Sequence, residues 1–173
     1  MKHIILIGYK SVGKSAIGRE LAQRAGMCFI DLDEEMEKLY AAKSGVSANC
    51  RLIMLNIGQD AFRELEHKAL KSVLESTVSS VVSLGGGTPL LAKNKRLIRN
   101  HIVVQITAPR NIVFERIMIN GKPAFFPAEE QPLVSFNRTW DDRAEIYDSL
   151  ASIKVENSGS LNEVVRLIRE KIN

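Results

Sequence analysis

His3-Ile4-Ile5-Leu6-Ile7-Gly8-Tyr9-Lys10-Ser11-Val12-Gly13-Lys14-Ser15 decides the reading of this chain. The first five residues form a short apolar run, the length of one buried strand. The last eight match G-x-x-x-x-G-K-[ST], the loop that wraps nucleotide phosphates. Its glycines permit a tight turn in which successive N–H groups face an anion. Lys14 brings a charge to the β/γ-phosphates, and the Ser15 hydroxyl suits Mg²⁺. Ala16 to Ala25 follows as a helix with Ile17, Leu21 and Ala25 on one face. A Gly-rich turn that merely packs leaves the Gly-Lys-Ser order unexplained.

Outward from this loop the elements alternate. Strands are expected at Met27–Ile30, Val78–Leu84, Ile102–Ile106 and Ile153–Val155. Helices are expected at Asp33–Ala42, Gln59–Glu75, Lys93–Arg99, Pro109 to Ile119, Val134–Leu150 and Leu161–Ile172. Ser44 to Ile57 follows neither period, because Gly45 and Asn49 interrupt it. Asn120 to Pro132, with Gly121 and three prolines, reads as a loop. This pattern predicts a three-layer α/β/α domain on a five-stranded parallel sheet, spanning residues 1–173. Ligands of such sheets bind beyond the carboxyl ends of the strands.

The chain has 173 residues, a net charge of +4 and 25% charged residues. Its basic residues are scattered, so no nucleic-acid partner is expected. No apolar run approaches the ~18 residues that span a bilayer, and no cleavable leader is read at the N-terminus. Neither cysteine has metal-like spacing; Cys28, in Met27-Cys28-Phe29-Ile30, is expected to be a buried free thiol. A cytoplasmic location follows as the expectation.

Polar motifs fall at the predicted strand ends. Asp31 and Asp33 follow the second strand; one carboxylate can hold Mg²⁺ through water and the other can accept from a substrate hydroxyl. The alternative is that Asp33 caps the next helix and Asp31 makes a surface contact. Arg63 lies one turn before Glu66, either as an anion-binding fork oriented by that glutamate or as an ordinary surface pair. Gly85-Gly86-Gly87 ends the third strand.

Taken together, these motifs resemble the shikimate kinases: a P-loop over Gly8–Ser15, D-x-D at Asp31 and Asp33, a G-E-x-x-F-R-x-x-E-like run over Gly58–Glu66, G-G-G at 85–87, and R-x-x-x-Y at Arg143 and Tyr147. Order and approximate spacing agree over nearly the whole length. The resemblance implies a P-loop kinase fold with a substrate-binding segment at about 33–62 and a lid at about 120–132. It implies ATP-dependent phosphorylation of the shikimate 3-hydroxyl with Mg²⁺, by a monomer. Nucleotide binding would fall to Gly8, Ser11, Gly13, Lys14, Ser15 and Ala16, with Arg116 packed on adenine. Ser15, and Asp31 through water, would hold the metal. Asp33 would be the base, Arg63 and Arg143 would clamp the carboxylate, and Gly85–Gly87 would line the substrate pocket. Three departures stand out. Gln59 replaces the family's glutamate, Gly45 to Gly58 is longer than usual, and Lys122-Pro123 replaces the lid's Arg-Pro. Lys122, or Arg138 in its stead, is then expected to be the lid cation. Gluconate or a nucleotide as acceptor, or a non-catalytic nucleotide-binding role, are the competing readings.

Overall fold

A computed structural model describes residues 2–119, 121–123 and 125–172. The apolar run becomes strand β1 (Ile4–Ile7), buried at every position and flanked on both sides. Around it lie β2 (Cys28–Asp31), β3 (Ser80–Ser83), β4 (Ile102–Thr107) and β5 (Ile153–Glu156), in the order β2-β3-β1-β4-β5. Every pairing is parallel. Helices α1 (Lys14–Ala25), α2 (Leu32–Ser44), α3 (Cys50–Leu74), α4 (Ala92–Ile98), α5 (Arg110–Ile119), α6 (Pro132–Leu150) and α7 (Leu161–Ile172) complete the chain. The chain leaves β1 for the β3 side and later returns to β4 on the other. The carboxyl end of β1 is therefore the crevice where such sheets bind ligands. No described helix is long and apolar enough to cross a membrane.

Three local outcomes differ from the sequence reading. The stretch that followed no period contains the start of α3. Asn49 caps it, its side-chain oxygen accepting from the Leu52 N–H at 2.9 Å, and that cap is a recognisable helix-start signal. Gly58, at φ 78 and ψ 168, kinks the helix before the strongly periodic half begins. Cys28 is exposed, not buried. It lies on the edge strand, where alternation turns Phe29 toward α1, under the Arg19 guanidinium (4.5 Å to the ring centroid), and Cys28 away.

At the opposite end of the sheet His3 is fully buried. Its Nδ1 accepts from the Ser80 N–H at 3.2 Å, and its own N–H donates to His101 Nδ1 at 3.1 Å. Burial pushes both imidazoles below their ordinary value. A base with a lowered folded pKa carries no penalty above the unfolded value. Below about 6.5 the unfolded chain takes up protons that the native chain resists. Stability should therefore fall with pH from about 6.5 downward. His3→Asn, which can still accept from Ser80, should flatten that decline; urea midpoints at pH 7 and pH 5 measure it, and an unchanged slope would refute the assignment.

Candidate active site

Beyond β1 the chain turns through Gly8 to Gly13, and Gly13, in left-handed conformation at φ 99, starts α1. Ser11 also adopts a left-handed φ of 66, a non-glycine strain of about 1–2 kcal/mol. Lys14 is 8% exposed and donates to the Gly8 and Tyr9 carbonyls at 3.0 and 2.8 Å. Burial lowers its pKa to about 8, with Asp33 and Asp31 opposing the drop. An approaching phosphate restores full charge there. Arg116 donates to the Ser11 carbonyl at 3.4 Å, and Asn157 to the Val12 carbonyl at 2.9 Å, so both brace the outer side of the loop. Asn157 was not singled out in the sequence.

The Ser15 hydroxyl donates to Asp31 Oδ2 at 2.7 Å and lies 3.4 Å from the Ser83 hydroxyl. Asp31 also caps α2, its Oδ1 accepting from the Asp33 N–H at 3.1 Å. The capping role read for Asp33 thus belongs to Asp31. Because α2 already starts at Leu32, Asp33 stands in its first turn, yet it still faces the same cavity. Burial, then the charge of Asp31, raises the Asp33 carboxyl to about 6. Among the described residues no cluster of three or more His, Cys, Asp or Glu could cage a metal alone. A hydroxyl beside a carboxylate at a phosphate loop fits Mg²⁺ instead, which takes few protein oxygens and completes its shell with phosphates and water.

Arg63 and Glu66 are no surface pair. Arg63 Nη1 donates to Glu66 Oε2 at 2.7 Å, and Glu66 is 2% exposed. The other glutamate oxygen accepts from Thr88 Oγ1 at 2.7 Å. The Asn94 amide donates to the Thr88 carbonyl at 3.0 Å, and Asn94 Oδ1 meets His67 Nδ1 at 2.7 Å. This chain of bonds fixes the guanidinium. Gln59, which replaces the family's glutamate, is exposed and takes no part in these bonds. The triple glycine serves the protein's own side chains first: a Cβ on Gly87 would lie 2.6 Å from Arg63 Nη1. Gly87→Ala is therefore expected to push Arg63 aside and raise the KM for an anionic acceptor about tenfold, the worth of one weakened charge-assisted bond. The KM for ATP should stay unchanged, and equal shifts in both would contradict this account.

Arg143, from α6, is 8% exposed. Its guanidinium lies 5.2 Å from the Tyr9 ring centroid and 4.7 Å from that of Phe125. Among the described residues no carboxylate pairs with it. One turn on, the Tyr147 hydroxyl donates to the Gly86 carbonyl at 2.6 Å, and burial pushes its pKa up to about 12. That bond ties α6 to the glycine turn.

These groups surround one cavity of about 290 Å³. Lys14, Ser15, Asp31, Asp33, Arg63, Glu66, Gly85, Gly86, Gly87 and Arg143 all line it, as do Lys10, Cys50, Arg51 and Met54, which the sequence reading passed over. Cys50 donates its thiol to the Asp33 carbonyl at 3.5 Å. Its pKa is raised by burial and by the nearby Asp33 charge, which disfavours the thiolate.

The two lid-cation candidates are not brought to this cavity. Lys122 donates to the Ala128 and Glu130 carbonyls at 2.9 and 3.0 Å, strapping its own loop. Arg138 forks onto Glu130 at 2.6 and 2.8 Å, and Ser135 bonds the same carboxylate. The loop's aromatics divide: Phe126 is buried in the core, whereas Phe125, with Gly121 and Pro123, roofs the cavity. Asn120 and Ala124 of this loop lie outside the described residues.

Known proteins resemble this chain along nearly its whole length. The shikimate kinase family profile matches residues 10–173. A shikimate kinase of Persephonella marina is 31% identical over 98% of this chain and all of its own length. One of Thermus thermophilus is 36% identical over 98% of this chain and 89% of its own. A solved shikimate kinase from Acinetobacter baumannii in complex with shikimate superposes with a TM-score of 0.87 at 26% identity, covering 99% of this chain and 93% of that one. Family profile, full-length relatives and superposed fold agree, and the chain belongs to the shikimate kinase family.

Proposed function

We propose that this ATP-dependent kinase transfers the γ-phosphoryl group of ATP to the 3-hydroxyl of shikimate, with Mg²⁺. The observation that carries the choice of acceptor is Arg143. It is a nearly buried guanidinium between two aromatic rings with no carboxylate partner among the described residues, in a cavity that also holds Arg63, kept rigid by Glu66. Uncompensated buried charge is costly, so the cavity favours an anionic guest. A planar fork suits a carboxylate. Asp33 then meets a hydroxyl of the same guest. A carboxylated polyol fits this set better than a neutral sugar does.

In this reading Gly8, Ser11, Gly13, Lys14, Ser15 and Ala16 cradle the phosphates, Arg116 packs at the adenine side, and Ser15 holds Mg²⁺ with Asp31 acting through water. When bound, the metal neutralises charge on the β- and γ-phosphates. Lys14 holds the phosphate oxygens. Arg63 and Arg143 hold the acceptor's carboxylate against the bare backbone of Gly85–Gly87, and Asp33 orients the attacking hydroxyl and takes its proton. The segment at about 33–62 forms the acceptor's wall. The loop at 120–132, through Phe125, keeps water away from the phosphoryl group. Catalysis is then mostly positioning and charge stabilisation. An ADP-release assay across shikimate, gluconate and nucleoside monophosphates tests the reading: turnover with shikimate alone is expected, and faster turnover with another acceptor would replace it.

A further inference from the structure

Phosphoryl transfer spreads negative charge over the three equatorial oxygens of the moving group, and cations aimed there lower the barrier. Lys14 is one such cation. Of the others, Arg63 is neutralised by Glu66, Arg143 lies under Phe125, and Lys122 and Arg138 are held within the 122–138 region by carbonyls and by Glu130. Lys10 differs from all of these. It belongs to the phosphate loop itself, it lines the cavity between that loop and Asp33, and among the described residues nothing accepts a bond from its ammonium. Its backbone lies against the glycine turn: the Lys10 nitrogen sits 3.3 Å from where a Cβ on Gly86 would be, and the left-handed turn at Ser11 follows it directly.

We propose that Lys10 is a catalytic residue whose ammonium binds the γ-phosphoryl oxygens during transfer, on the acceptor side of the phosphate loop. It lines the same cavity as Lys14 and Ser15, and its charge is felt at Lys14. Arg51, another cation lining the cavity, lies in the first turn of α3, outside the phosphate loop. As the bond between the γ-phosphorus and the ADP oxygen breaks, the bond to the acceptor oxygen forms and the hydroxyl proton passes to the Asp33 carboxylate. Lys10 follows the phosphoryl group across, because a four-carbon stem carrying a compact charge can move with it. Lys10 thereby does the charge work that the sequence assigned to Lys122.

This assignment rests on the kinase reading of the site, and two measurements separate them. The first is nucleotide affinity alone: Lys10→Met should weaken a non-hydrolysable ATP analogue about tenfold while leaving ADP, which lacks the γ-phosphoryl group, within about twofold. The second is turnover with shikimate: Lys10→Met should lower kcat by about 10–10²-fold with the shikimate KM unchanged, and Lys10→Arg should recover most of it. Equal affinity losses for ADP and the ATP analogue, an unchanged kcat, or failure of Lys10→Arg to rescue would each overturn the role. A parent protein that binds ATP but does not phosphorylate shikimate overturns the acceptor instead, and the affinity ratio still decides Lys10.

Discussion

Asp33→Asn is expected to cut kcat by on the order of 10²–10³-fold while leaving the protein at least as stable as before. The first half follows from the loss of one group that acts on the attacking hydroxyl. The second follows from the site's electrostatics. Burial and the neighbouring Asp31 and Glu66 charges hold the Asp33 carboxyl at about 6, above its ordinary value. A raised carboxyl pKa means that the ionised form is disfavoured in the folded chain. At neutral pH, above the folded value, the ionised carboxylate therefore costs the folded chain stability. Asparagine keeps the shape and removes the charge. Lys14→Ala should show a similar kcat loss with little net change in stability: the Gly8 and Tyr9 carbonyls lose their donor, and the chain is relieved of an ammonium whose pKa burial lowers to about 8. Steady-state kinetics beside thermal melting measure both. If Asp33→Asn kept turnover within tenfold of the parent, Asp33 would be neither base nor hydroxyl orienter.

The fold was legible because its signals are local. An apolar run before Gly8–Ser15, apolar strands between periodic helices, and Pro109 at a helix start each specify an element from neighbouring residues. β1, α1 and the parallel sheet appear as read, with boundaries shifted by one or two residues. Three things were less legible. The start of α3 is hidden because its first half has no clean apolar face: Leu52 and Leu55 point outward, and only the Asn49 cap marks it. The edge position of β2, which exposes Cys28, is a property of strand order and leaves no trace within Met27–Ile30. The fate of the cations is set by long-range partners. Nothing near Lys122 in sequence says that its ammonium will find the carbonyls of residues 128 and 130, or that Glu130 will claim Arg138. Lys10 was in view within the phosphate loop, but its motif position carries no required residue type, so only the cavity wall distinguishes it.

Arg143 and Arg63 should part company when each is removed, although both are expected to bind the same carboxylate. Arg143→Met should raise the KM for shikimate by about ten- to a hundred-fold, the loss of one charge-assisted bond worth roughly 1.5–3 kcal/mol. The methionine keeps apolar contact with Tyr9 and Phe125, and no carboxylate is orphaned, because none pairs with Arg143. What is lost in stability is the cation–π attraction, about 0.5–2 kcal/mol. Removal also relieves a buried unpaired charge, which offsets part of that loss. Arg63→Ala should raise the same KM by a similar factor and in addition lower the melting temperature. It strips Glu66, which is 2% exposed, of the one cation that pairs with it among the described residues. Breaking a buried pair from one side costs about 3–5 kcal/mol, with Thr88 left as the remaining donor to that carboxylate. The Glu66→Gln change in the Arg63→Ala background should then recover stability without recovering affinity, since the uncharged amide no longer needs the arginine. The ATP KM should hold in all three proteins. Equal increases in the KM for ATP and for shikimate in Arg143→Met would mean that Arg143 shapes the phosphate loop through Tyr9 and does not touch the acceptor.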